Sequence, residues 1–279
     1  MKLSEMRQAL TDRGIQLTKS LGQNFLHDGN QLRRIVAIAE LGPDDQVLEI
    51  GPGMGPLTEM ILERTPRVLA IEMDARLLAF LRERLGERDG LELRGGDALE
   101  ILRDELRDWT GWKMVSNLPY SVASPILVTL TEGKWSRLVA TLQLEVGKRV
   151  VARAGEEAYG LLSLLVQLRY EPAEFFRVPA GCFFPEPEVD SACVALVRRE
   201  RPLLEEREEA AFRKIVKRGF SQRRKMMRKL LRGDWPENAL ASAYDELGLS
   251  PAIRAEAVRL DQFAALTRIL VAAKEKLFN

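Results

Sequence analysis

Through the first 200 residues, short apolar runs alternate with stretches of helical spacing. "QVLEI" (46–50), "RVLAIE" (67–72), "LELRGGD" (91–97), "KMVSN" (113–117) and "RLVATLQLE" (137–145) have the length and apolar content of buried strands and their exits. Between them, "NQLRRIVAIAEL" (30–41), "GPLTEMILER" (55–64), "DARLLAFLRERL" (74–85), "ALEILRDEL" (98–106), "PILVTLTE" (125–132) and "LLSLLVQLRY" (161–170) carry helical periodicity, with Asp74 placed to cap its helix. "AEFFRVP" and "SACVALVR" read as two closing strands around a proline-rich turn, "FFPEPEVD". "TKSLGQNFLHD" (18–28) follows an N-terminal helix and reads as a loop. Such alternation predicts an α/β fold, a mostly parallel sheet with helices on both faces.

The pattern changes after Val197. A charged, proline-containing stretch, "RRERPLLEEREEA" (198–210), leads into purely helical patterning over 209–219, 221–232, 236–247, 252–257 and 260–276. The chain thus divides into a sheet domain over 1–200 and an all-helical domain over 201–279.

Composition narrows the chemistry. At 46% apolar and 30% charged residues, with no apolar run near the roughly 20 that a membrane span needs, the chain reads as a soluble globular protein. "MKLSEMRQALTDRG" lacks the apolar core of a signal peptide, and Cys182 and Cys193 supply no disulfide framework. A monomer in a reducing cytoplasm is the expectation. His27 is the single histidine, which leaves neither a zinc cluster nor a convincing Ser-His-Asp triad. The net charge of +1 conceals ten Lys and Arg between Arg213 and Arg232 with no acid among them, so the rest of the chain stands at −9. That stretch is either a solvated helix face or a surface for a polyanion. Gly219 is placed to end one helix and Ser221 to cap the next. Arg223, Arg224 and Lys225 would then share a first turn with free backbone N–H groups, facing phosphates.

Three strand ends carry the candidate small-molecule chemistry. "VLEIGPGMG" places Gly51, Gly53 and Gly55 after the first sheet strand, where glycines permit tight turns or close approach of a ligand. Glu72 closes the second strand, 21 residues after Gly51, a place suited to ribose hydroxyls. Asp97 closes the third, where it would face an adenine edge. Singly, each carboxylate also reads as a helix cap or a solvated charge. The glycines follow G-x-G-x-G rather than G-x-G-x-x-G, and the phosphate-loop lysine pattern is missing. This combination resembles the S-adenosylmethionine (AdoMet) site of class I methyltransferases.

The fourth strand ends in "NLPY". Pro119 has no N–H and biases Leu118 to an extended conformation, so the Leu118 carbonyl has a fixed direction. A turn with an Asn cap accounts for the tetrapeptide; so does an amine site. An adenine amino group donating to the Asn117 side-chain oxygen and the Leu118 carbonyl would be drawn toward tetrahedral geometry, its lone pair freed for a methyl group. Tyr120 would stack on the base, and Pro119 would preorganise the site. Loss of a proton from the methylated ammonium to water needs no histidine.

"NLPY" resembles the signature of amino-methyltransferases. In order along residues 19 to about 265, "KSLGQNFLHD", "LEIGPGMGPLT", "AIEMD", "GGDAL", "SNLPYSVASPIL", "EEAYGLLS", "FFPEPEVDSA" and "FSQRRKMMRKLL" resemble the small-subunit ribosomal RNA adenine dimethyltransferase family. The resemblance implies AdoMet-dependent dimethylation of two adjacent adenosines in a hairpin near the 3′ end of small-subunit rRNA, within an assembling subunit. It places Asn24, Leu26, Gly51, Gly53, Glu72, Asp97 and Asn117 against AdoMet, and Phe183 as a second aromatic wall opposite Tyr120. Without the resemblance Phe183 reads as a core aromatic beside Phe184. Glu188 departs from the family's usual lysine. The related large-subunit dimethyltransferases share the catalytic motifs, but "QRRK" and the long helical tail argue against them. A non-catalytic RNA-binding factor conflicts with intact "GPGMG" and "NLPY", and a small-molecule methyltransferase conflicts with the basic tail.

Overall fold

The computed structural model describes residues 1–17, 22–104, 108–222 and 224–278. The chain runs α1 (Leu3–Asp12), β1 (Phe25–Leu26), α2 (Gly29–Ile38), β2 (Gln46–Ile50), α3 (Pro56–Leu62), β3 (Arg67–Glu72), α4 (Ala75–Leu85), β4 (Leu91–Gly95), α5 (Ala98–Asp104) and β5 (Lys113–Asn117). It continues through α6 (Ala123–Leu130), β6 (Arg137–Gln143), α7 (Leu144–Val151), α8 (Leu161–Gln167), β7 (Tyr170–Val178), β8 (Phe183–Phe184) and β9 (Ser191–Arg198). The last helices are α9 (Glu206–Gly219), α10 (Met227–Leu231), α11 (Glu237–Glu246) and α12 (Leu260–Phe278). The loop expected over 18–28 and the helix expected over 98–106 lie partly outside the described residues.

A seven-stranded sheet has the order β4-β3-β2-β5-β6-β9-β7. The pairings β4·β3, β3·β2, β2·β5 and β5·β6 are parallel, and β9 runs antiparallel to β6. Val47, Leu48 and Ile50 of β2 and Val68, Leu69 and Ile71 of β3 are all buried, as expected of strands covered on both faces. Chain order reverses beside β2: β3 and β4 extend one way, β5 and β6 the other. Register between β2 and β5 covers only Val47↔Lys113 and Leu48↔Met114. Beyond it the Ile50 N–H donates instead to the Ser116 hydroxyl at 2.8 Å. The two strands therefore part at their carboxyl ends, at the switch point where open α/β sheets bind ligands.

The sequence leaves α7 unassigned, because the apolar pattern of β6 runs straight into it at Leu144 with no turn residues between. The structure forms two compact units, Met1–Gly147 with Glu171–Arg198, and Lys148–Tyr170 with Arg199–Asn279. The helical unit thus contains a segment that the division at residue 200 assigns to the sheet domain. The reason is packing: Ala152, Tyr159, Leu164 and Leu168 share one buried cluster with Phe212, Ile215, Tyr244 and Phe263. The Tyr159 hydroxyl donates to the Val258 carbonyl at 2.9 Å, and Arg169 donates two hydrogen bonds of 2.7 Å to Glu209.

Candidate active site

A cavity of about 240 Å³ opens where β2 and β5 part. Its lining includes Asn24, Gly51, Gly53, Glu72, Asp97 and Asn117. Gly51 and Gly53 hold φ of +68° and +60°, in the left-handed region. A Cβ on Gly51 would stand 3.3 Å from the Pro119 ring, and one on Gly53 would stand 2.6 Å from the Phe25 ring. The glycines therefore let the β2 exit meet the segments from β1 and β5, besides leaving room in the cavity.

Glu72 is 6% exposed and already oriented: it accepts from Gly53 N at 3.0 Å and Asp74 N at 2.8 Å. Burial pushes its carboxyl up from the ordinary range, and those two N–H groups oppose the shift. Asp97 accepts from Leu99 N at 2.7 Å, so it caps α5 while lining the cavity. Asp74 caps α4 through Arg76 N; the Arg76 guanidinium, with help from Gln23, holds its carboxyl down at about 2. Glu49, two residues before Gly51, is 1% exposed, and burial pushes its carboxyl up to about 8. Glu49 pairs in register with Ala70, so it shares a sheet face with Glu72.

At the end of β5, Asn117 Nδ2 donates to the Asn24 carbonyl at 2.8 Å. That bond turns Oδ1 the other way, where it is buried with no partner among the described residues. Nor does any described residue donate to the Leu118 carbonyl. Leu118 is itself held by its own N–H on the Thr141 carbonyl at 3.2 Å. Two adjacent residues that line the cavity, Asn117 and Leu118, thus each carry an acceptor without a donor among the described residues. Orphaned buried acceptors are uncommon in native proteins, and one that borders a cavity is open to a donor from water or from a bound group.

The side chains of Leu26 and Phe183 both turn into the core. β1 and β8 form a two-residue antiparallel ladder with Leu26 opposite Phe183 and Phe25 opposite Phe184. Opposed residues share a face, and the Leu26–Phe183 face turns into the core, leaving those side chains 3% and 2% exposed. The Leu26 side chain is therefore turned away from the cavity, while its neighbour Phe25 lines it. Phe183 meets Tyr120 edge-on, with ring centroids 6.4 Å apart and planes at 67°, so the two rings do not face each other as parallel walls. Phe25, Gln23 and Met73, 59% exposed beside Glu72, are lining residues that the sequence reading missed. The alternation within "NFL" was the available signal for Phe25.

The expected helix start at Ser221 is also displaced. α10 begins only at Met227, and the Ser221 hydroxyl donates back to the Arg218 carbonyl at 2.7 Å. Met227 is fully buried and its N–H bonds the Ile253 carbonyl at 2.9 Å, which fixes the start of the helix there. Arg224 and Lys225 stand exposed in the preceding turn rather than in a first helical turn, and Arg223 lies outside the described residues.

Residues 14–271 match the family model of ribosomal RNA adenine dimethylase. The chain belongs to that family. It is an rRNA adenine dimethyltransferase with the class I methyltransferase fold. It is 41% identical to ribosomal RNA small subunit methyltransferase A of Geobacter metallireducens, over 93% of this chain and 97% of that one. The protein of the same name from Moorella thermoacetica is 40% identical, over 93% and 94%. Among solved structures, the 23S rRNA methyltransferase ErmE superposes with a TM-score of 0.71 at 30% identity, covering 88% of this chain and 99% of that one. A dimethyladenosine transferase from Plasmodium falciparum gives 0.75 at 23% identity, over 90% and 98%, and supports the shared fold. Among the described residues, no helix is long and apolar enough to cross a membrane, and no metal-ligand cluster is present.

Proposed function

We propose that this protein dimethylates the exocyclic amine of two adjacent adenosines in a hairpin near the 3′ end of small-subunit rRNA, during subunit assembly in the cytoplasm. The paired acceptors, Asn117 Oδ1 and the Leu118 carbonyl, carry this reading. An adenine amino group has two hydrogens, and two fixed acceptors draw its nitrogen toward tetrahedral geometry, so that the lone pair turns out of the ring. The Asn24 carbonyl holds Asn117 Nδ2 and thereby keeps Oδ1 turned toward the amine. After one transfer the nitrogen keeps a single hydrogen, and one acceptor suffices for the second. The released proton passes to water. Tyr120 offers its ring face to the base; Phe183, held in the core, braces that ring by its edge.

The cavity fits AdoMet. Glu72 at the end of β3 accepts from the ribose hydroxyls, Asp97 at the end of β4 from the adenine, and Gly51 and Gly53 leave space beside the backbone. Bound there, AdoMet supplies an electrophilic methyl group. Arg224 and Lys225, exposed and without ion pairs among the described residues, hold the rRNA backbone together with Arg223. The small-subunit target is favoured by relatives of that name at 36–41% identity, and the likeness to ErmE makes the large subunit the competing target. Labelled AdoMet offered with immature small subunits, or with large subunits, from a strain lacking the activity decides between them. The expected label is on N6 of two neighbouring adenosines near the small-subunit 3′ end. Label on the large subunit, or none, overturns the proposal.

A further inference from the structure

The segment 183–191 grips Tyr120 at both its ends. Phe183 meets the ring edge-on, and the Tyr120 hydroxyl is hydrogen-bonded to the Ser191 hydroxyl. Ser191 opens β9, is fully buried, and stands in register with Gln143 of β6. The residue before it is fixed three ways: the Asp190 carboxylate accepts from Ala180 N at 2.9 Å and pairs with Arg177, and its carbonyl accepts from Leu144 N at 2.9 Å. Ser191 is therefore a rigid anchor on the sheet, not a pliant loop hydroxyl. Burial pushes the Tyr120 phenol up to about 12, with the Ser191 bond opposing the shift, so Tyr120 stays protonated at neutral pH and is no base for the reaction.

We propose that Ser191 is a positioning residue for methyl transfer, tying down the Tyr120 hydroxyl so that the ring face stands fixed before the adenine arrives. The proposal rests on the reading of Tyr120 as the stacking face. A tyrosine ring swings about two torsions. Pro119 restricts the backbone before it and Phe183 limits its tilt, and a contact at the far end of the ring has the longest lever against rotation about Cα–Cβ. Without the anchor the ring samples other rotamers, and a smaller fraction of bound complexes holds the amine in line with the methyl group. The loss falls on kcat and leaves the KM for AdoMet in place, since Ser191 and Tyr120 do not line the AdoMet cavity.

The test is steady-state methylation of immature small subunits by Ser191→Ala, Ser191→Cys, Tyr120→Phe, the double variant Ser191→Ala/Tyr120→Phe, and Tyr120→Ala. One net hydrogen bond corresponds to a loss of roughly three- to tenfold in kcat, expected for Ser191→Ala and equally for Tyr120→Phe. Ser191→Cys fills the same space with a weak hydrogen-bonding group, so it is expected to behave as the alanine does. The double variant is expected to be no slower than either single one, because both remove the same bond. Tyr120→Ala is expected to be the slowest. Wild-type kcat in Ser191→Ala, recovery in Ser191→Cys, or multiplied losses in the double variant would each overturn the anchor while leaving Tyr120 as the stacking face. Near-normal turnover by Tyr120→Ala overturns the stacking reading itself, and the anchor with it.

Discussion

The carboxyl end of the sheet and the turn before α10 both gather polar side chains, and they hold them in opposite ways. At the sheet end, Glu72 and Asn117 are fixed by backbone groups of Gly53, Asp74 and Asn24. In the turn, Arg224 and Lys225 stand in solvent. Neighbouring cations of the same basic stretch are neutralised within the fold: Lys214 pairs with Asp234 at 2.7 Å, and Arg228 and Arg232 each reach Glu237 at 2.5 Å. Charge count alone therefore overstates the cationic surface. Groups that act on a transition state must be aimed before it forms, at a cost in burial. Groups that hold a phosphate backbone act by releasing counterions and need only remain accessible.

The largest effect expected is at Asn117. Asn117→Ala should slow single-turnover methylation by a factor of about 100 or more, since one preorganised hydrogen bond contributes about 3 kcal/mol at a transition state. AdoMet affinity by calorimetry should fall less than for Glu72→Ala. Near-normal turnover would mean that the Leu118 carbonyl is enough and that the buried amide does not differ in kind from a surface group.

Glu72→Ala comes next. Losing charge-assisted bonds to the ribose should weaken AdoMet binding roughly 10- to 100-fold, while affinity for immature subunits stays unchanged. Equal AdoMet affinity in the variant would remove the carboxylate from the cofactor site.

Glu49 sharpens the contrast through pH. Its carboxyl titrates near 4.5 unfolded and at about 8 folded. The folded chain therefore holds a proton that the unfolded chain has lost between those values. The sign follows: the stability linked to Glu49 is full below about pH 4.5 and declines as pH rises toward about 8. Glu49→Gln should flatten that part of the profile, an effect of up to roughly 5 kcal/mol across the whole window in urea titrations. A profile unchanged by the substitution would show that the carboxyl is solvated in the folded state.

The smallest effect per residue is expected at the turn. Gln at Arg223, Arg224 and Lys225 together should weaken subunit binding and flatten the logarithmic salt dependence by about 0.7–0.9 per lost phosphate contact. AdoMet affinity should not move. An unchanged salt slope would make this turn an ordinary solvated face.

Much of the sheet was legible because strands such as 46–50, 67–72 and 113–117 announce themselves as apolar runs closed by Gly51, Glu72 and Asn117. Gly51, Gly53, Glu72, Asp97 and Asn117 gather at one cavity because the carboxyl ends of successive parallel strands lie side by side. The inward facing of Leu26 and Phe183 was not legible, because a two-residue ladder assigns faces by its register and nothing local to "NFL" or "FFP" states which face is inward. The start of α10 was misplaced for a like reason. Ser221 is a competent cap by composition, but the Ile253 carbonyl, far along the chain, holds Met227 where the helix begins.

By itself, then, the sequence determined the alternation of elements, the helical C-terminal part and the residues at the strand ends, since periodicity and turn chemistry act over a few residues. Tertiary structure decided that 148–170 belongs with the helical unit, that Phe25 rather than Leu26 faces the cavity, and that Ser191 reaches Tyr120. Each of these depends on which distant surfaces pack together, and burial of apolar faces settles that only when the whole chain is folded.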